Sequence, residues 1–349
     1  MRLFSAIALL TLACGTCMAA ERTITVAADG SGDFKTIPEA VAAVPENSPD
    51  RTKIHIKPGR YAGPLIIPKN KPRITLVGDD AATTVLTWDR NVNDPKPEGS
   101  DGFNPGVLVR ADDFEAVRLT IENTSGDHGQ ALALRVDGDR DLFVACRITG
   151  WQDTLMVNNG RHYFRACYIA GRVDFIYGSA TAWFENCEIH SRNGGHITAA
   201  STPEDHPYGF VFNSCKLTGD AIAWDPATTN PATTQKARVT PMADLGRPWR
   251  PYGSVTYINC EMGGHIKPEG WNNWGKVSNE ATARYSEYKS RGPGAAPEKR
   301  FPWTKQLTDE QAARITAPAV LAGKDGWDPE GIAKAWLEAK PGRVAEDQP

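Results

Sequence analysis

No block of like charge runs through the 349-residue sequence, whose formal net charge is −3. The basic footprint of a nucleic-acid binder is therefore missing. Histidine is scarce, with 7 in the chain, and the cysteines after residue 21 form no Cys-x-x-Cys pair, so no metal site is expected. Gly-x-Ser-x-Gly does not occur, which removes the nucleophile elbow of a serine hydrolase. Long apolar runs are absent except for Leu3 to Gly15, which is too short to span a bilayer. Helical patterns of about 10–15 residues do not separate the strand-like segments, which argues against alternating βαβ units.

What is present favours a turn-dense, all-β chain. The sequence holds 32 Gly and 25 Pro, and 40% hydrophobic residues suffice for a sizeable core. Residues 1–20 read as an export leader: Arg2 is a short basic start, the apolar run follows, and Ala19-Ala20 offers a cleavage site. Composition changes at Glu21-Arg22, and residues 21–349 are expected to form one domain. Export to the periplasm or the exterior is the expectation. Cys14 follows Thr-Leu-Ala, a poor context for lipid attachment, so a lipoprotein anchor ranks second.

The five cysteines after the leader mark a repeat. Each stands three residues after an aromatic and two before an apolar residue. The copies are Phe143/Cys146/Ile148, Phe164/Cys167/Ile169, Phe184/Cys187/Ile189, Phe212/Cys215/Leu217 and Tyr257/Cys260/Met262. Phe114/Val117/Leu119 fits with Val in the Cys place. Such spacings describe coils of about twenty residues with loop insertions, a solenoid signature. Each copy alternates at period two, placing the Cys and the next apolar residue on one face. The fold class expected is a right-handed parallel β-helix, with bends at Gly150, Gly171 and Gly194-Gly195.

The ends read as caps. Ile37 to Val44, with Pro38 in its first turn, predicts a short amphipathic helix over the open end of the first coil. Asn279–Lys289 and Thr308–Arg314 read as helices separated by a loop at Gly292–Pro297, packed along the side of the solenoid. Neighbouring strands lie about 4.8 Å apart, so Cys167 and Cys187 could bond across adjacent rungs. A buried ladder of free thiols is the alternative, favoured for the other cysteines.

Register brings two carboxylates together. Asp153 lies seven residues after Cys146, and Asp174 seven after Cys167. They occupy the same place in successive coils, about one strand spacing apart. Two such carboxylates resist ionising together, so one pKa rises and the pair titrates as a unit. An acid with raised pKa beside an ionised neighbour suits acid-assisted covalent catalysis. Solvated turn residues are the plain alternative. The surroundings, Gly150-Trp151-Gln152 and Gly171-Arg172-Val173-Asp174-Phe175-Ile176-Tyr177-Gly178, are richer than an ordinary turn.

Four segments in order now carry a resemblance: Gln130–Arg135, Gly150–Leu155, Gly171–Gly178 and Leu245–Trp249. Together with Asp29–Phe34 and Trp303, they resemble pectin methylesterases, of the bacterial type, over about residues 24–327. That resemblance implies a parallel β-helix that hydrolyses methyl esters of polygalacturonate without a cofactor. It implies that Asp174 is the nucleophile, Asp153 the general acid and then base, and Gln152 and Gln130 the oxyanion donors. Arg247 resembles the residue that holds the nucleophile ionised. Trp249, Tyr177, Phe175 and Val173 resemble the substrate-binding wall, with the β-helix core as the alternative place for each aromatic, Phe175 above all. Cys167–Cys187 corresponds to a disulfide of some members. Tyr177 stands where the family usually has Phe, and Gly63 replaces a usual acidic residue. The expected partner is pectin, or homogalacturonan, as the polysaccharide substrate of a monomeric protein with no nucleic acid and no membrane span.

Three other readings compete, one of them a hydrolase of another ester or thioester on the same scaffold, since loop lengths define the groove. A glycoside hydrolase also uses two carboxylates, but paired glutamines suit an acyl oxyanion better than an oxocarbenium ion. A silent carbohydrate-binding solenoid predicts a gap in the Asp/Asp/Gln/Arg set, and none is missing. His128, two residues before Gln130, reads as a loop residue.

Overall fold

The computed structural model describes residues 22–96, 102–220 and 243–339. The leader expectation and Cys14 lie outside these residues. Strand pairing throughout is parallel, and the architecture is the expected all-β, right-handed parallel β-helix. One sheet of eleven strands starts at Arg22–Val26 and runs coil by coil to Lys305–Gln306. The remaining strands form two further faces. Tyr168–Gly178 and Glu188–Ala200 are long enough to turn the corner between those faces, with register shifts at the bend.

The repeat read from the sequence is the interior ladder. Phe143, Phe164, Phe184, Phe212 and Tyr257 pair in register on successive coils. Their rings stack with centroids 4.6, 4.7, 4.5 and 4.6 Å apart. Ile148, Ile169, Ile189, Leu217 and Met262 form a second buried column. Offset stacking adds to the burial of each ring, and neighbouring coils supply the partners that a single coil lacks.

The bend between the first two faces does not fall on a glycine. It is made by the residue immediately before the cysteine place: Arg118, Ala145, Ala166, Asn186, Ser214 and Asn259 all have φ between 50 and 54°. One left-handed residue turns the chain sharply while adding only a single position. The copy read as Phe114/Val117/Leu119 is two residues out of register. Ala116 pairs with Phe143 and Val117 with Val144, so Leu119, not Val117, stands in the cysteine place. The Phe114 ring sits one alternation ahead of the aromatic ladder. Gly171, expected at a bend, stands where the pairing slips within Tyr168–Gly178, at the corner between the second and third faces. Gly195, with φ +101°, also sits at a corner.

All five ladder cysteines are separate thiols, so the Cys167–Cys187 bond is not formed. Each sulfur points at the carbonyl of the preceding coil: Cys167 Sγ lies 3.4 Å from Phe143 O, and Cys187 Sγ 3.5 Å from Phe164 O. Stacked side chains on parallel strands keep the rung spacing between their Cβ atoms, which exceeds the mean of about 3.8 Å in a disulfide.

Helix Ile37–Ala42 caps the first coil, as expected. Thr36 and Glu39 form a reciprocal capping box, and Ile37, Ala40 and Val41 are buried. At the other end, Asp309–Ala313 is helical with Thr308 as N-cap. The helix expected over Asn279–Lys289 is not formed: a 3-10 turn at Val277–Ala281 leads into the strand Arg284–Tyr288. Tyr285 there packs 4.5 Å from the Trp271 ring and extends the sheet beside Ser254–Ile258, contacts that outweigh the helix propensity of Glu and Ala. Two further helices, Ala317–Leu321 and Pro329–Glu338, lie on the outer surface of the first sheet over Val144 and Tyr163.

Candidate active site

The third face of the β-helix carries the site on its outer surface. Leu155 pairs with Ile176, so Asp153, in the turn just before its strand, and Asp174, each two residues earlier in its coil, stand one rung apart. Asp153 N–H donates to Val173 O at 3.0 Å, locking that register. Both aspartates adopt left-handed backbone, φ 60° and 52°. A non-glycine residue in that region costs energy, and two at one site are consistent with a functional constraint. Gly171 permits the turn: a Cβ there would lie 2.2 Å from Phe175 Cβ.

Arg247 reaches Asp174 from two coils further on. Tyr177, Ala199 and Arg247 stack in register, and the small Ala199 leaves the guanidinium room to cross the intervening rung. Gly246 is needed for that approach, since a Cβ would fall 1.9 Å from Thr198 Oγ1. Arg247 Nε donates to Asp174 Oδ1 at 2.8 Å and Nη2 to Oδ2 at 2.6 Å, a bidentate pair. Its guanidinium carbon lies 3.8 Å from the Trp274 ring centre, so the cation is held from both sides.

Asp153 has a different environment. It is 6% exposed, and burial pushes its carboxyl up to about 7. The Asp174 charge adds to this, while hydrogen bonds with Gln152 and Gln130 and the Arg247 charge oppose it. The pair is thus divided: one carboxylate clamped by a cation, the other holding a proton near neutrality.

Asp153, Asp174, Gln130, Gln152, Arg247, Tyr177 and Trp249 line one cleft of about 200 Å³. Gln130 and Gln152 are bridged to each other on neighbouring rungs. Tyr177 and Trp249 meet edge to face at 5.9 Å. Two expected wall residues are elsewhere. Phe175 is fully buried in the interior, because the irregularity at Asp174 turns both Phe175 and Ile176 inward. Val173 is half-buried beside Gly195 and contributes its carbonyl to Asp153 rather than a cleft surface. Three cleft residues had no sequence signal: Phe103 and Trp274 come from loops outside the repeat, and Ala199 is too small to mark itself. Among the described residues, no cluster of His, Cys, Asp or Glu could hold a metal ion. A larger cavity of about 330 Å³ lies under the capping helix around Ile37, Leu65, Leu86 and Ile121; it is mainly apolar and lacks a carboxylate pair.

A solenoid with such a divided pair at an aromatic-walled surface cleft belongs among the carbohydrate-acting enzymes built on parallel β-helices. Comparison with known proteins narrows the class. Residues 23–324 match the family model described as pectinesterase. "Pectinesterase 31" of Arabidopsis thaliana is 38% identical over 307 residues, covering 85% of this chain and 92% of that one. "Putative pectinesterase 11" of the same plant is 40% identical, covering 86% and 80%. Among solved structures, pectin methylesterase from carrot superposes with a TM-score of 0.78 at 34% identity, covering 90% of this chain and 95% of that one. Pectin methylesterase PemA from Erwinia chrysanthemi gives 0.72 at 30%, covering 88% and 98%. The chain belongs to the pectinesterase family and is a carboxylic ester hydrolase.

Proposed function

We propose that the protein de-esterifies methylated polygalacturonate through a covalent intermediate on Asp174. The observation that carries this reading is the division within the pair: Asp174 is clamped by Arg247, and the neighbouring Asp153 is raised to about 7. Asp174 attacks the C6 carbonyl carbon, and the carbonyl electrons move onto oxygen. Side-chain N–H groups of Gln130 and Gln152 stabilise that oxyanion, a contribution of about 3–4 kcal/mol per donor in comparable sites. Collapse expels the methoxy group, which takes the Asp153 proton and leaves as methanol. Asp153, now ionised, removes a proton from water as the water attacks the anhydride, which frees the galacturonate carboxylate and Asp174.

Aromatic surfaces at Tyr177, Trp249, Trp274 and Phe103 suit the flat apolar faces of sugar rings. One solved neighbour, 30% identical, is described as a pectin methylesterase in complex with a hexasaccharide, which supports an oligosaccharide substrate for this cleft. The apolar run at Leu3–Gly15 supports export, where such a polymer is met. The test is product analysis on highly methylated polygalacturonate. Methanol release at constant chain length is expected. New reducing ends without methanol would assign the pair to glycoside hydrolysis instead.

A further inference from the structure

Gln130 is the least supported member of the proposed machinery. Gln152 is contiguous with Asp153 on the same rung, whereas Gln130 is exposed and ends the loop that follows strand Thr120–Asn123. That loop contains Gly126 and Gly129 at φ +86° and +110°. Its ends are tied down: the Asn123 side chain accepts from Ser125 N–H at 3.0 Å, and Gln130 O accepts from Val92 N–H at 3.0 Å. Between them, Asp127 forms an ion pair with Arg172. Arg172 stands two residues before Asp174, and its backbone N–H donates to Trp151 O at 2.9 Å. One carboxylate–guanidinium contact thus joins the loop bearing an oxyanion donor to the strand bearing the nucleophile.

We propose that the Asp127–Arg172 pair is a positioning device that holds Gln130 over the reacting carbonyl. Its side chains are 31% and 37% exposed. At that exposure an ion pair contributes little to global stability, yet it can select one arrangement of a glycine-hinged loop. A donor displaced by a fraction of an ångström makes a weaker oxyanion bond, and part of its contribution is lost while Asp174 and Arg247 stay in place.

This inference rests on reading Gln130 as an oxyanion donor, and a double-mutant cycle separates the two. Asp127→Asn and Arg172→Gln are each expected to lower kcat on methylated pectin about tenfold, with KM changed less than about twofold. Melting temperatures should stay within about 2 °C of wild type, and Asp127→Glu should recover part of kcat. In a Gln130→Ala background, neither substitution should cost anything further. Unchanged kcat in both variants, or losses that add fully to that of Gln130→Ala, would overturn the positioning role alone. Wild-type kcat in Gln130→Ala would overturn the donor role and this inference with it.

Discussion

At the scale of single residues, the site works by making two identical side chains unequal. Arg247 grips both oxygens of Asp174, and burial keeps a proton on Asp153. The sign of the Asp153 shift fixes a stability prediction. Its folded pKa, about 7, lies above the ordinary carboxylate value of 3.8, so its contribution is complete below the lower value and is lost as pH rises through the upper one. Asp153→Asn stays neutral at every pH. It should match wild type near about pH 4 and melt several degrees higher near about pH 8. Thermal melts at the two pH values check this, and equal melting temperatures at the higher pH would contradict it. Arg247→Lys keeps the charge but cannot grip both oxygens, so kcat should fall at least about tenfold on methylated pectin. The pair itself was legible in the sequence because both aspartates count seven residues from a ladder cysteine. Of the two places open to Phe175 the core is the one it takes, because the left-handed Asp174 turns the next side chain inward, and Trp274 was invisible because its loop belongs to no repeat.

At the scale of elements, one coil is a strand, a left-handed corner, a second strand and a third. The aromatic-to-cysteine spacing described this ladder well, since each ring and each apolar residue finds its like on the next coil. The corner was less visible, because the residue before the cysteine carries the conformation whatever its identity. Ala145 and Ala166 bear the steric cost of that conformation, while Asn186 and Asn259 occupy the same position more comfortably. Ala166→Asn should therefore raise stability by about 0.5–1 kcal/mol, seen as a higher midpoint in urea with an unchanged slope. A lower midpoint would count against the corner argument. Removing a central rung has the opposite effect: Phe184→Ala should cost about 3–5 kcal/mol, since the ring stacks on both neighbours.

Over the whole molecule, the capped solenoid isolates a rigid surface on which the cleft is built. Loops outside the repeat contribute Phe103 and Trp274, so the wall is assembled from parts of the chain that no short motif encodes. The C-terminal helix is fastened far from that cleft. Trp336 Nε1 donates to Glu115 at 3.0 Å, and Arg118 donates to Trp336 O at 3.1 Å. The C-terminal reading failed where a helix-like sequence, Asn279–Lys289, continued the sheet instead, while Pro329–Glu338 supplied a helix that packs against the first sheet. The measurement that bears most directly on the central claim is methanol release from methylated pectin against pH, made on wild type, Asp174→Ala and Asp153→Ala after each is shown to be folded. Wild-type activity should decline as pH rises through about 7, the value at which Asp153 gives up its proton. Both variants should lose at least about a thousandfold in kcat; wild-type turnover by either folded variant would contradict the division of labour between the two aspartates.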